Sequence, residues 1–283
     1  MKQRPGAPEA LPRPVTDAHT HLDSVAEGED GLSADESVWR AAAVGVTRLV
    51  DVGVDVESSA GAIAHAERFD GVVAAVALHP NDAARLGDRL PAELARLEAL
   101  IDHPRVRGVG ETGLDYYRTT EPAAQRLQKE AFAAHIAWAK AYDKALVIHD
   151  RDAHDDIADV LDAEGWPDRV QFHCFSADAT FARRCLDAGA WLSFPGTVTF
   201  KPNEALREAL RITPSDRLLV ETDAPYLTPV PFRGAPNASY LVPVTARFLA
   251  EQRGDDLAAL CDALHANATA VFGDWGEGRD DRG

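Results

Sequence analysis

His19 and His21 stand two residues apart in Val15-Thr16-Asp17-Ala18-His19-Thr20-His21-Leu22-Asp23. β-Prone residues open this stretch, so it reads as a short strand running into a loop. Residues two apart on a strand point to one face, so both imidazoles project together from the strand's C-terminal end. Two imidazoles on one side of a backbone supply half of a typical N/O metal site. A His-x-His pair alone fits two buried, hydrogen-bonded histidines equally well. The rest of the chain decides between the two readings.

Later apolar runs end in the same kinds of residue: His79-Pro80, Gly110-Glu111-Thr112-Gly113-Leu114-Asp115, His149-Asp150-Arg151, His173-Cys174-Phe175-Ser176 and Glu221-Thr222-Asp223-Ala224-Pro225. These donors exceed what one tetrahedral ion needs and fit two divalent ions that share a carboxylate. Glu111 is the bridging candidate, because a carboxylate has an oxygen for each ion. Asp223 could hold one ion and take a proton from the attacking water. The chemistry implied is hydrolysis by activated water with no covalent enzyme intermediate, and no Gly-x-Ser-x-Gly elbow competes with it. His65, His103, His135, His154 and His265 fall on expected helices or their ends and read as surface or packing residues.

These donors need a scaffold that brings many strand ends together. Strands are expected at the His-x-His stretch and at 46–52, 72–78, 106–110, 145–148, 169–172, 190–193 and 218–220. Helices are expected from a capping box at Ser33-Ala34-Asp35-Glu36 to 44, and at 57–69, 91–102, 122–142, 152–164, 178–188, 203–211, 239–252 and 255–272. Apolar strands alternating with helices imply parallel strands buried on both faces. The number of repeats in 283 residues favours an α/β fold of the (β/α)8 TIM-barrel class, whose active sites lie at the C-terminal strand ends. No Gly-x-Gly-x-x-Gly follows the first strand, which weakens an open dinucleotide-binding sheet. The expected organisation is a disordered lead (1–14), one domain (15–273) and a disordered tail (274–283).

Composition narrows the setting. No apolar run approaches the roughly 20 residues of a membrane span, and the Pro-rich start has no apolar core of a secretory signal. Three cysteines without a Cys-x-x-Cys pair fit a reducing cytoplasm. A formal charge of −17 argues against unspecific adhesion to nucleic acid or anionic membrane, so any DNA path must be a local basic groove.

The six motifs together resemble the series of the TatD family, metal-dependent deoxyribonucleases on an amidohydrolase-like barrel. The motifs extend to Gly110-Glu111-Thr112-Gly113-Leu114-Asp115-Tyr116-Tyr117-Arg118, Val147-Ile148-His149-Asp150-Arg151-Asp152-Ala153 and Glu221-Thr222-Asp223-Ala224-Pro225-Tyr226-Leu227-Thr228-Pro229, and the likeness covers about residues 15–272. The resemblance implies that His19, His21 and Asp223 bind a first divalent ion, that His149 and His173 bind a second, and that Glu111 bridges. It places His79 beside the metals, as a residue behind the ligands or as a substrate contact. Mg²⁺, Mn²⁺ and Zn²⁺ are all compatible. Departures occur at Ala77, at Ala177 and in the late motif, where the family's Arg-Gly leads into Asn-Glu-Pro but Arg233-Gly234-Ala235-Pro236-Asn237 runs into Ala238-Ser239; none is a ligand position. The implied substrate is DNA, as single strands or ends, handled by a monomer without a membrane. Arg118, Arg151, Lys201 and Arg233 are candidates to meet phosphates. Tyr116, Tyr117, Phe175 and Tyr226 are candidates to stack unpaired bases. Two other readings stay open: hydrolysis of a small amide, lactone or phosphoester, and a metal-holding partner protein without turnover.

Overall fold

A computed structural model describes residues 3–27 and 30–275. Eight strands appear in these residues: β1 Val15–Thr20, β2 Val46–Val52, β3 Val72–Val76, β4 Val106–Asp115, β5 Ala145–Arg151, β6 Val170–Phe172, β7 Trp191–Phe194 and β8 Leu218–Val220. They pair in parallel in sequence order. The helices are α1 Leu22–Ala26, α2 Ala34–Ala43, α3 Val56–Arg68, α4 Pro80–Leu86, α5 Leu90–Ile101, α6 Pro122–Ala141, α7 His154–Glu164, α8 Ala179–Asp187, α9 Glu204–Ile212, α10 Val242–Arg253 and α11 Leu257–Phe272. The arrangement is the (β/α)8 barrel expected from the alternation.

The ring is completed between β1 and the chain beyond β8. Asp223 N–H donates to the His19 carbonyl at 2.9 Å and His21 N–H to the Ala224 carbonyl at 3.0 Å. The buried Asp17 carboxylate accepts from Thr222 N–H (2.9 Å) and Thr222 Oγ1 (2.6 Å), across 205 residues of sequence. Strand alternation sorts the apolar side chains into two layers. Leu49, Ala74, Val76, Leu146 and Ile148 pack outward with helical residues such as Phe132 and Ile136. Val50, Val52, Val73, Ala75, Val147 and Leu219 form a smaller inner cluster with Phe272 and Trp275.

Both chain ends depart from the expected boundaries. Residues 3–14 are not a disordered lead. Leu11 is buried in the core and its N–H donates to the Val44 carbonyl at 2.9 Å, while Tyr240 Oη donates to the Pro5 carbonyl at 2.5 Å. An apolar side chain with a place to go repays the ordering of its segment. At the other end Trp275 is fully buried, with the Arg48 guanidinium 5.0 Å from its ring centroid, so 274–275 belong to the fold. The rest of the expected tail, 276–283, lies outside the described residues. Among the described residues no helix is long and apolar enough to cross a membrane.

Two smaller differences arise from local chemistry. Ser33 caps α2 by accepting from Glu36 N–H at 3.2 Å, but the Glu36 carboxylate turns to Arg40 and leaves the expected capping box half formed. At α3 Asp55 and Ser58 make the full reciprocal box.

His65 on α3 ties that helix to β2. Its Nδ1 lies 2.7 Å from Asp51 Oδ2, and Asp51 Oδ1 accepts from Leu22 N–H at 2.9 Å. The Asp51 hydrogen bond raises the His65 pKa above its ordinary 6.5. A raised folded-state value contributes stability that is complete below the ordinary value and fades as pH climbs through the elevated one. His65→Gln should therefore cost about 1–2 kcal/mol at low pH and distinctly less at high pH. Urea denaturation in chelator at pH 5.5 and pH 9 checks this. An equal loss at both would show that the imidazolium charge plays no part.

Candidate metal centre

Irregularities in the strands aim the site residues. In β4, Val109 pairs with Leu146 and Thr112 with Ile148, so three steps on one strand meet two on the next. The extra residue lies at Gly110–Glu111, a β-bulge that turns the Glu111 side chain into the barrel mouth. Gly110 has φ +159°, and a Cβ there would come within 2.4 Å of Val147 Cβ, so the bulge requires glycine. Beyond it β4 resumes pairing as far as Asp115, five residues past the expected end at 110. A matching irregularity in β1, between the Asp17–Leu49 and Thr20–Asp51 pairs, contains His19. His21 is not on the strand, as the alternation suggested, but one residue beyond it at the start of α1. The two rings still converge, with Nε2 atoms 3.3 Å apart. Asp223 has φ +52°, a left-handed conformation that Asp tolerates better than most residues. The chain around it is held by the buried Asn237, whose Nδ2 donates to the carbonyls of Thr222 (3.0 Å) and Tyr226 (2.6 Å). Asn237 of the late motif thus clamps the Asp223 loop.

Two donor groups meet on Glu111. In the first, Glu111 Oε2 lies 3.4 Å from His19 Nε2 and 3.7 Å from His21 Nε2, while Asp223 Oδ1 lies 3.9 Å and 3.5 Å from the same nitrogens. His19, His21 and Glu111 thus offer three donor atoms within 4.8 Å of one another, a set that fits one divalent ion, with the Asp223 carboxylate beside the two imidazoles. In the second, Glu111 Oε1 lies 2.6 Å from His149 Nδ1, 2.9 Å from His173 Nε2 and 3.4 Å from His79 Nε2. Here the donors hydrogen-bond to one another, and an ion would take the place of the imidazolium protons between them.

The electrostatics express the same demand for positive charge. Burial opposes ionisation of Glu111, yet His173, His79 and His149 hold its carboxyl well below the usual range. Burial likewise opposes a charge on His21, but the Asp223 hydrogen bond and Glu111 carry it up to about 9. His173 is raised too, because Glu111 and Glu221 outweigh its burial. His19, fully buried and next to His173, is pushed down to about 3. Protons thus occupy some of the places where cations would sit.

Partners of the second ring nitrogens decide which histidines are ready to bind metal. His21 Nδ1 must donate to the Val52 carbonyl (2.8 Å), which leaves the Nε2 lone pair facing the site. His173 Nδ1 faces Glu221 Oε1 at 3.3 Å, with the same consequence. Glu221 is fully buried and its Oε1 also accepts from Cys174 N–H at 2.6 Å. His149 Nε2 lies 3.4 Å from Asp115 Oδ2, leaving Nδ1 for Glu111 or an ion. His79 differs. Its Nδ1 accepts from Asn81 N–H (3.1 Å) as the cap of α4, so Nε2 carries the proton and is a donor. Burial lowers the His79 pKa, which favours that neutral form. Glu221 and Asp115 were visible in the motifs but not singled out. Their signal was position: each flanks a ligand candidate at a strand end. Cys174 lines the cavity too, but burial raises its thiol far above neutrality and disfavours a thiolate ligand.

The six ligand candidates therefore lie together, under an open cavity of about 780 Å³. Arg118, Arg151 and Tyr226 also line it or its rim. Others do not. Tyr116 turns away to α7, where its Oη donates to Asp156 Oδ2 at 2.5 Å. Phe175 is buried against Phe181 and Phe194, so it stacks on protein and not on bases. Arg233 lies over the Phe200 ring and, like the exposed Lys201, is not among the cavity-lining residues. Tyr117 is exposed but carries the Arg151 guanidinium on its face, 3.9 Å from the centroid.

The geometry has counterparts among known proteins. Residues 16–273 match the family model described as TatD related DNase. The uncharacterized metal-dependent hydrolase TatD of Mycobacterium tuberculosis is 49% identical over 265 residues, 92% of this chain and 98% of that one. The 3'-5' ssDNA/RNA exonuclease TatD of Cronobacter sakazakii is 34% identical, covering 84% and 91% of the two chains. Among solved structures, the YJJV TatD homolog of Escherichia coli K12 superposes with a TM-score of 0.83 at 27% identity, over 91% of this chain and 97% of that one. With its barrel, its paired donor groups and these relatives, the chain belongs to the TatD family of metal-dependent hydrolases.

Proposed function

We propose that the chain is a divalent-metal-dependent nuclease that hydrolyses phosphodiester bonds in DNA, at single strands or ends, with two ions held on either side of Glu111. The observation that carries this reading is the division of the Glu111 carboxylate, Oε2 toward His19 and His21 and Oε1 toward His149 and His173. His19, His21 and Asp223 hold the first ion, and His149 and His173 the second. Divalent ions so placed offset phosphate charge and bring the pKa of water toward neutrality. Asp223 accepts the proton that the attacking water gives up. His79 Nε2–H donates to a phosphate oxygen, and Arg151 adds a fixed positive charge. Tyr226, 58% exposed beside His21, offers a ring to an unpaired base. The Cronobacter sakazakii relative, named a 3'-5' ssDNA/RNA exonuclease, supports a nucleic-acid substrate.

The test is purified protein with Mg²⁺, Mn²⁺ or Zn²⁺ against end-labelled single-stranded DNA, duplex DNA, RNA and a panel of small esters and amides. Single-stranded DNA should be cleaved, cleavage should vanish in chelator, and a divalent ion should restore it. Chelator-resistant cleavage, or turnover confined to the small-molecule panel, would refute the reading.

A further inference from the structure

A second cavity, of about 230 Å³, opens beside the metal centre and shares Asn81, Arg85 and Arg118 with the first. Asn81 couples the two. Its Nδ2 donates to Asp115 Oδ2 at 2.9 Å, the oxygen that faces His149, and its Oδ1 lies 3.5 Å from the Thr119 hydroxyl in the second cavity. Thr119 is itself fixed by Gln128 Nε2 at 2.9 Å. The metal centre and the second cavity therefore share one hydrogen-bonded floor.

Three arginines, Arg85, Arg118 and Arg151, line these two cavities in a chain of net −17. Elsewhere Arg68, Arg169 and Arg184 lie within 2.9 Å of carboxylates. Among the described residues no carboxylate pairs with the Arg118 or Arg151 guanidinium. Arg151 stacks its face on Tyr117, which leaves its N–H edge for an acceptor. Among the described residues Arg85 pairs only with Asp82 on its own helix, at 3.2 Å and in solvent, a pair worth little and easily exchanged. Glu121 is the carboxylate lining the second cavity, against the two guanidiniums of Arg85 and Arg118. The cationic edge thus runs from the metal centre into the second cavity, a layout suited to an anion with repeating charge. A small amide or lactone needs no such track.

We propose that the second cavity is a phosphate subsite, which holds on Arg85 and Arg118 the phosphodiester next to the scissile one in a single-stranded polynucleotide. This rests on the nuclease reading, and two readouts separate the fates of the two ideas. The first is binding of a fluorescein-labelled thymidine pentanucleotide in chelator at low salt, by anisotropy, to the parent, Arg118→Ala, Arg85→Ala/Arg118→Ala and the control Arg89→Ala, an exposed arginine outside both cavities. Arg118→Ala should weaken binding roughly tenfold, the double variant more, and each lost contact should lower the salt slope by about one. The second readout is kcat/KM with Mn²⁺ on the pentanucleotide and on bis(p-nitrophenyl) phosphate, a lone diester with no flank. The loss in Arg118→Ala should be several-fold larger on the pentanucleotide and appear in KM. Equal losses on both substrates, unchanged binding, or an Arg89→Ala variant as weak as Arg118→Ala would overturn the subsite. If the parent hydrolyses neither substrate, the nuclease reading fails, and arginine-dependent binding alone then upholds or overturns the subsite.

Discussion

Glu111→Gln is expected to reduce turnover at least roughly 10²–10³-fold, the range seen when one preorganised polar group is removed from a reacting centre. Gln keeps the volume and one carbonyl oxygen, so the bulge at Gly110–Glu111 and the barrel should survive. What it loses is the second oxygen and the charge. Glu111 Oε1 and Oε2 face different donor groups, so a bridging role predicts weaker metal retention at both. Elemental analysis of protein dialysed at a series of metal concentrations measures this, with circular dichroism as a check on folding. An unchanged metal count would show that each group holds its ion without Glu111, and the shared-carboxylate arrangement would then be wrong.

Asp223→Asn should separate the two roles given to that residue. Asn keeps an oxygen for the ion, and it tolerates the left-handed φ of +52° as readily as Asp does. Four histidines and Glu111 remain, so most metal should stay bound. The carboxylate that receives the proton is gone, and a positioned general base contributes roughly 10²–10⁴ in rate. The measurement is kcat beside metal content for the variant and its parent. Activity that falls only in step with lost metal would leave Asp223 a plain ligand. His79 would be the next acceptor to test, although its Nδ1 contact with Asn81 N–H already makes its Nε2 a donor.

The barrel and the meeting of the candidate ligands at one end of it were legible because both rest on one-dimensional signals. Apolar runs alternate with helical stretches, and the runs end in histidine or carboxylate. The less legible features depend on the third dimension. Helix α4 is seven residues long, too short for a periodic pattern, and only Pro80 after His79 marked its start. The continuation of β4 to Asp115 was hidden because a bulge breaks its alternation. Tyr116 and Tyr117 are neighbours of one type, and only the register of β4 with β5 sends one to Asp156 and the other under Arg151. Phe175 looked available for bases because its motif lies at a strand end, yet its burial among Phe181 and Phe194 is a long-range outcome. The placement of Leu11 and Trp275 depended on docking sites that composition does not reveal.

The seam between β1 and the chain after β8 has a bearing on how the protein comes into being. Asp17 and Thr222 meet across 205 residues, and backbone bonds tie His19 to Asp223 at the same place. During synthesis the amino-terminal half of the first donor group emerges early and waits for the last strand. A nascent chain that ends before Asp223 has His19, His21 and Glu111 but no partner to hold the β1 elbow in register. On the proposed two-ion reading, ion capture at that group would be a late event, one that reports completion of the ring and does not seed it. A chain split in the loop between α6 and β5, with its halves expressed separately, should bind metal at the first group only after the halves reassemble.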